Sequence, residues 1–139
     1  MNCLCLNTRH AARSLTRLYE DRLRPCNLTP PQFGLLSLLA AKPNLSQADL
    51  TESLDLDQTT LSRNLRLLVA NKWLKRSRSA TDRRQTLYTI TPAGLELRRT
   101  ALPHWQRAQQ QMRERLGADW ETAFAILHRL TNVAASEAS

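Results

Sequence analysis

The chain has 139 residues, 42% of them hydrophobic and 23% charged, with a formal net charge of +8. That length supports one buried core, and no apolar run approaches the ~20 residues a bilayer-crossing helix needs. Three cysteines, an odd number, argue against a disulfide framework.

The opening MNCLCLNTRHAARS has too short an apolar core for a signal peptide, so a cytoplasmic protein without membrane contact is expected. A first helix is expected from about Asn7 to Arg24. Ala11, Leu15 and Leu18 recur at helical spacing, and Pro25 stops it. Arg9, Arg13, Arg17, Arg22 and Arg24 make it basic. Thr29 opens a second helix as N-cap, with Pro30 and Pro31 in the first turn and Gln32 completing a capping box. Phe33, Leu36 and Ala40 form its apolar stripe, widened by Leu35, Leu38 and Leu39. Lys42-Pro43-Asn44 ends it.

Ser46 and Asp49 repeat the capping pattern ahead of a short helix whose Leu50 and Leu54 face inward. Leu54-Asp55-Leu56-Asp57 reads as a tight turn, followed by a helix from about Gln58 to Ala70. Leu61, Leu65, Leu68 and Val69 share one face of that helix. At 100° per residue the opposite face carries Thr59, Arg63 and Arg66, with Thr60 and Ser62 on the flanks; Leu67 fits neither face. Trp73 to Arg78 and Gln85 to Ile90 read as two strands around a polar, basic tip, Ser79 to Arg84. Thr91-Pro92-Ala93-Gly94 caps a long helix to about Leu116, which Pro103 should bend. Trp105, Ala108, Met112 and Leu116 lie on one stripe of it. After Gly117 a last helix places Trp120, Phe124, Leu127, Leu130 and Ala134 on one face. These terminal stripes carry more apolar surface than a small domain covers alone, so a homodimer is expected.

The charge is localised. Arg63, Arg66, Lys72, Lys75, Arg76, Arg78, Arg83 and Arg84 face a single acid, Asp82, between Ser62 and Arg84. Residues 101–139 are neutral by contrast. A helix pair followed by a basic two-stranded ribbon is the outline of a winged helix-turn-helix, which places one helix in the major groove of double-stranded DNA and a wing beside it.

The order helix, helix, helix-turn-helix, wing, long helix, helix resembles the MarR family of bacterial transcriptional regulators over nearly the whole chain. The stretches that carry the resemblance are LTPPQFGLLSLLA, LDLDQTTLSRNLRLLVANKWLKR and DRRQTLYTITPAGLEL. The wing's Asp-x-Arg stands here as Asp82-Arg83-Arg84, and the family's Leu-Thr-x-x-Gly as Ile90-Thr91-Pro92-Ala93-Gly94. The resemblance implies a mainly α fold with a small β wing: residues 29–91 as winged helix-turn-helix, 1–24 and 92–139 as dimerisation helices of one domain. It implies DNA contacts from Gln58, Thr59, Thr60, Ser62 and Arg63, a minor-groove contact from Arg84, and a bracing role for Asp82. Arg66 and Arg83 join the contacts by position. One feature departs: where the family usually carries Gly-Leu after the recognition helix, this chain has Lys72-Trp73.

MarR-like proteins commonly hold a small, often anionic aromatic ligand between the reading head and the dimer helices. By position, His10, Arg13, Arg17 and Trp105 are the candidates for such a cleft. Cys3 and Cys5 are candidate redox residues, with simple apolar packing as the competing reading. The histidines, His10, His104 and His128, have no metal-ligand spacing, and Gly34, Gly94 and Gly117 form no phosphate loop. No metal or other cofactor and no enzyme activity are expected. The expected function is sequence-specific binding of pseudo-palindromic DNA as a ligand-responsive repressor. The alternative is a thiol- or oxidant-responsive regulator or interaction module.

Overall fold

The computed structural model describes residues 2–138. Helix α1 spans Leu4–Leu23. It begins earlier than hydrophobic spacing suggested, because polar side chains close its first turns. Asn7 Nδ2 donates to the Cys3 carbonyl and Thr8 Oγ1 to the Leu4 carbonyl, both at 2.8 Å. The chain then tightens into a 3-10 turn, Arg24–Cys26, around Pro25, and Asn27 turns it with a left-handed φ of 53°.

Helix α2, Pro30–Ala41, starts from the expected capping box: the Thr29 N–H donates to Gln32 Oε1 and the Gln32 N–H to Thr29 Oγ1. A two-residue strand β1, Leu45–Ser46, leads into α3, Gln47–Leu54, capped reciprocally by Ser46 and Asp49. Helix α4 spans Gln58–Ala70. Strands β2, Leu74–Arg78, and β3, Thr86–Ile90, form the hairpin. Helix α5 spans Pro92–Leu116 without interruption at Pro103, and α6 spans Asp119–Glu137.

The sheet is antiparallel in the order β1-β3-β2, with Leu45 opposite Tyr88 and Arg76 also opposite Tyr88 from the other side. Strand β1 was not legible in the sequence, since two residues carry no period. It is held at its start by Thr89 Oγ1, which donates to Asn44 Oδ1 at 2.9 Å.

The chain divides inside α5 into two compact units, one up to Trp105 and one from Gln106 on. The division lies beyond the expected start of the dimerisation helices at residue 92, because Leu97, Ala101, Leu102 and Trp105 pack on the core of the first unit. That core is built mainly from leucines of α1 to α4, among them Leu23, Leu36, Leu50, Leu61 and Leu68, all fully buried, and α5 adds Ala101. At ~25 cal/mol per Å² of apolar surface, their burial is the main force fixing how α4 is rotated. In the second unit, the left-handed Gly117 (φ 53°) separates the helices, and Trp120 meets Phe124 edge-on at 5.0 Å.

Candidate nucleic-acid interface

Asp57 is the N-cap of α4, and its two carboxylate oxygens are both used. The Thr60 N–H donates to Oδ1 at 2.8 Å and the Thr60 hydroxyl to Oδ2 at 2.6 Å. These two bonds, the hydroxyl's first, hold the Asp57 carboxyl below its ordinary pKa of 3.8. The negative charge also suits the positive end of the helix. The turn before it depends on Asp55, which sits in the left-handed region at φ 49°. Aspartate tolerates that region better than most residues.

With Leu61, Leu65 and Leu68 buried, the outer face of α4 is set. Gln58, Thr59, Arg63 and Arg66 are exposed there, and together with half-buried Ser62 they line one shallow concavity. Five of the expected contact residues are therefore on one surface. Thr60 is half-buried, and its hydroxyl is spent on Asp57, so its position in the structure is that of a cap. Ser62 is engaged too: Gln47 Nε2, from α3, donates to its Oγ at 2.8 Å. Gln47 escaped the sequence reading because it belongs to no apolar period. A second cross-link was equally silent: Gln32 Nε2 donates to Asn64 Oδ1 at 3.1 Å, tying the cap of α2 to the middle of α4.

Helix α4 ends in a Schellman arrangement. The Trp73 N–H donates to the Leu68 carbonyl and the Lys72 N–H to the Val69 carbonyl, at 3.0 and 2.9 Å. Lys72 occupies the left-handed position at φ 61°. This is the place where glycine costs least, which explains why the family favours it there. The departure at Lys72 therefore keeps the turn and changes only its strain.

On the wing, Arg83 and Arg84 are both exposed at the tip. Asp82 braces this tip through the backbone: its Oδ1 accepts from the Arg84 N–H at 3.0 Å. Two further supports were missed in the sequence. Ser79 is buried, and its Oγ accepts from the Thr81 and Asp82 N–H groups, each at 3.3 Å. Arg78 Nη1 donates to the Arg83 carbonyl at 2.7 Å. The guanidiniums of Arg83 and Arg84 thus project from a tip whose backbone is already tied down.

The four residues expected around an effector are not brought together. His10, Arg13 and Arg17 are exposed along α1. Trp105 instead stacks on Phe33, with ring centroids 5.7 Å apart, and lines a cavity of about 270 Å³ with Pro30, Gly34, Ser37 and Leu102. The cation in that wall is Arg98, whose Nε donates to Ser37 Oγ at 3.4 Å.

Cys3 is the N-cap of α1 and makes no side-chain cap bond; Cys5 is exposed in the first turn. Burial pushes the Cys26 thiol pKa up. Among the described residues no cluster of three or more His, Cys, Asp or Glu could hold a metal ion, and no helix is long and apolar enough to cross a membrane.

Residues 27–85 match the MarR family. The chain is 32% identical over 101 residues to an organic hydroperoxide resistance transcriptional regulator of Bacillus subtilis, covering 73% of this chain and 69% of that protein. Among solved structures, it is similar to the M. tuberculosis transcriptional regulator MosR in complex with DNA. The TM-score is 0.87 at 28% identity, over 97% of this chain and 98% of that one. It is likewise similar to the PcaV transcriptional regulator of Streptomyces coelicolor in complex with its natural ligand. There the TM-score is 0.85 at 26% identity, over 96% and 94% of the two chains. These proteins are regulators, not enzymes.

Proposed function

The chain belongs to the MarR family of winged-helix transcriptional regulators, and from that premise we propose that it is a homodimeric, ligand-responsive repressor acting at pseudo-palindromic operators. The observation that carries the reading is the pairing of a polar, unobstructed α4 face with a braced wing tip bearing Arg83 and Arg84. Gln58, Thr59 and Arg63 are the groups suited to base edges in the major groove. Arg84 is suited to the narrow, electronegative minor groove. Exposed leucines on α1, Leu4, Leu6 and Leu15, and exposed Phe124, Ile126, Leu127 and Val133 on α6 are apolar surface that a second copy would cover. Two recognition helices roughly 34 Å apart would then read two half-sites.

The effector reading moves to the cavity between α2 and α5, where Trp105 and Phe33 supply an aromatic wall and Arg98 a cation for a small aromatic anion. His10, Arg13 and Arg17 remain candidates only for a site that a second copy completes.

The deciding experiment is a duplex-binding titration on promoter fragments between 50 and 200 mM salt. Six to ten phosphate contacts imply a loss of about 10³–10⁵ in affinity across that range. Absence of binding on every fragment at the lowest salt would refute the regulator reading.

A second reading, response to oxidants, is favoured by the position of Cys3 and Cys5 at the opening of α1. Cys3 is extended at the N-cap and Cys5 lies inside the first turn, so a disulfide between them would have to distort the start of α1. Mild peroxide should then lower operator affinity in the parent and not in Cys3→Ser/Cys5→Ser. Equal affinities before and after peroxide would leave the cysteines as packing residues.

A further inference from the structure

The groove between α4 and the base of the wing is lined from three directions. Gln47 comes from the start of α3, Ser62, Leu65 and Arg66 from α4, and Arg76 and Tyr88 from the hairpin. No carboxylate lines it. Arg76 stands directly opposite Tyr88 in the β2–β3 register, so both side chains rise from the same face of the ribbon. Tyr88 is buried in the core on that face, which directs Arg76 along the inner side of the wing toward α4. Arg66 lies one helical turn beyond Ser62 and reaches the groove from the other wall. Among the described residues neither guanidinium has a carboxylate or hydrogen-bond partner.

The Gln47–Ser62 bond completes the chemistry. Gln47 Nε2 donates to Ser62 Oγ at 2.8 Å, which occupies a lone pair of that hydroxyl and leaves its proton to be given elsewhere. The groove therefore offers two guanidiniums and one hydroxyl proton over an apolar floor. That set of donors suits a compact anion with two or more acceptor oxygens, and a phosphodiester has two non-bridging ones.

We propose that this groove seats one backbone phosphate of the bound duplex, on the strand that passes from the major groove under α4 to the minor groove under the wing. The proposal rests on the DNA-binding reading above. It adds Arg76 to the interface, and it assigns Ser62 and Arg66 to holding the strand, leaving base reading to Gln58, Thr59 and Arg63. A phosphate gripped from both walls fixes the register of helix and wing on the duplex together and carries no sequence information itself.

The test uses the full-length parent, Arg76→Gln, Arg66→Gln and the double variant. Affinities are measured by fluorescence anisotropy from 50 to 200 mM salt. One duplex is selected by the parent from a random library, and a second is unrelated in sequence. Each single variant is expected to lose about tenfold in affinity on both duplexes alike. The log–log salt slope should fall by about 0.9 per bound subunit, one phosphate's share. The double variant should lose far less than the product of the singles, because both side chains hold the same phosphate. In a second arm, methylphosphonates neutralise the phosphates of the selected duplex one at a time. One position per half-site should weaken the parent and leave Arg76→Gln unchanged. The proposal is overturned if the parent binds and Arg76→Gln keeps its affinity and slope, or if either variant alters base preference alone. A parent that binds no duplex overturns the DNA-binding reading itself, and this proposal with it.

Discussion

The Thr91 hydroxyl donates to the Lys72 carbonyl at 2.7 Å, and the Trp73 carbonyl lies 3.1 Å from the same oxygen. The Thr91 N–H reaches the Trp73 carbonyl as well, at 3.1 Å, and Thr91 Oγ1 accepts from the Gly94 N–H. One threonine therefore joins the exit of the recognition helix, the end of the wing and the start of α5. Gly94 makes the approach feasible: a Cβ there would lie 2.2 Å from the Trp73 carbonyl oxygen.

Thr91→Val should accordingly destabilise the protein by about 1 kcal/mol, the net worth of a typical hydrogen bond. Gly94→Ala should cost on the order of 3 kcal/mol, at the upper end for overpacking, since the obstacle is backbone. Urea unfolding of both variants checks the order. A Gly94→Ala protein as stable as the parent would show that the junction is looser than the geometry indicates.

Lys72→Gly should stabilise the chain. The left-handed φ of 61° costs a lysine roughly 1–2 kcal/mol, and glycine returns part of that as extra freedom in the unfolded state. A net gain of about 0.5 kcal/mol is expected, read as a higher urea midpoint at unchanged slope.

Arg63→Ala and Arg84→Ala should fail in different ways. Arg63 projects from the outer face of α4, so its loss should cost about 1–3 kcal/mol on the selected operator and relax base preference there. Arg84 belongs to the wing tip, so its loss should weaken binding with less effect on major-groove preference. Competition assays over single-base operator variants distinguish them. Identical, sequence-independent losses would make Arg63 a phosphate contact.

Acid should loosen the recognition helix through Asp57. Its folded pKa lies below 3.8, chiefly because the Thr60 hydroxyl and N–H stabilise the charged form. The unfolded chain therefore binds this proton more readily than the folded one, and the sign follows. The contribution to stability is complete above the unfolded pKa and is lost as pH falls through the depressed folded value. Asp49, held down by the Ser46 N–H and hydroxyl, acts in the same direction. Melting curves between pH 7 and pH 3 should show a shallower acid limb for Asp57→Asn than for the parent.

Leu127→Glu tests the expected homodimer. Leu127 is 48% exposed on α6, so a charge there leaves the folded chain undisturbed and penalises only a covered apolar face. Sedimentation should give a folded monomer with parent-like helical content, a lower melting temperature because the stabilisation by the second copy is lost, and much weaker operator binding. A dimer of unchanged affinity would move the interface elsewhere.

How far the sequence was legible follows from what kind of interaction each feature uses. The capping boxes at Thr29/Gln32 and Ser46/Asp49 are local and were readable residue by residue. So was the leucine face of α4, because burial repeats every turn. Leu67, which fitted no stripe, is exposed, and its packing gives it no role within one chain. The unreadable features are long-range and polar. Gln32–Asn64 and Gln47–Ser62 join residues 32 and 15 positions apart, and a lone glutamine advertises no partner. The cavity cation shows the same limit: the α1 arginines and Arg98 are equally basic in sequence, and only packing beside Trp105 separates them.

The strand order β1-β3-β2 leaves β2 on the outside of the sheet. An open strand offers unpaired N–H and C=O groups to any passing strand, and a two-stranded ribbon that projects from the body is especially accessible. Here that rim carries Lys75, Arg76 and Arg78, all exposed, within the five residues of β2. Two such rims repel one another unless something anionic lies between them. The charge that suits the wing to DNA thus also keeps unbound copies from stacking edge to edge. Neutralising the ribbon to abolish DNA binding should therefore also lower the concentration at which the free protein stays in solution.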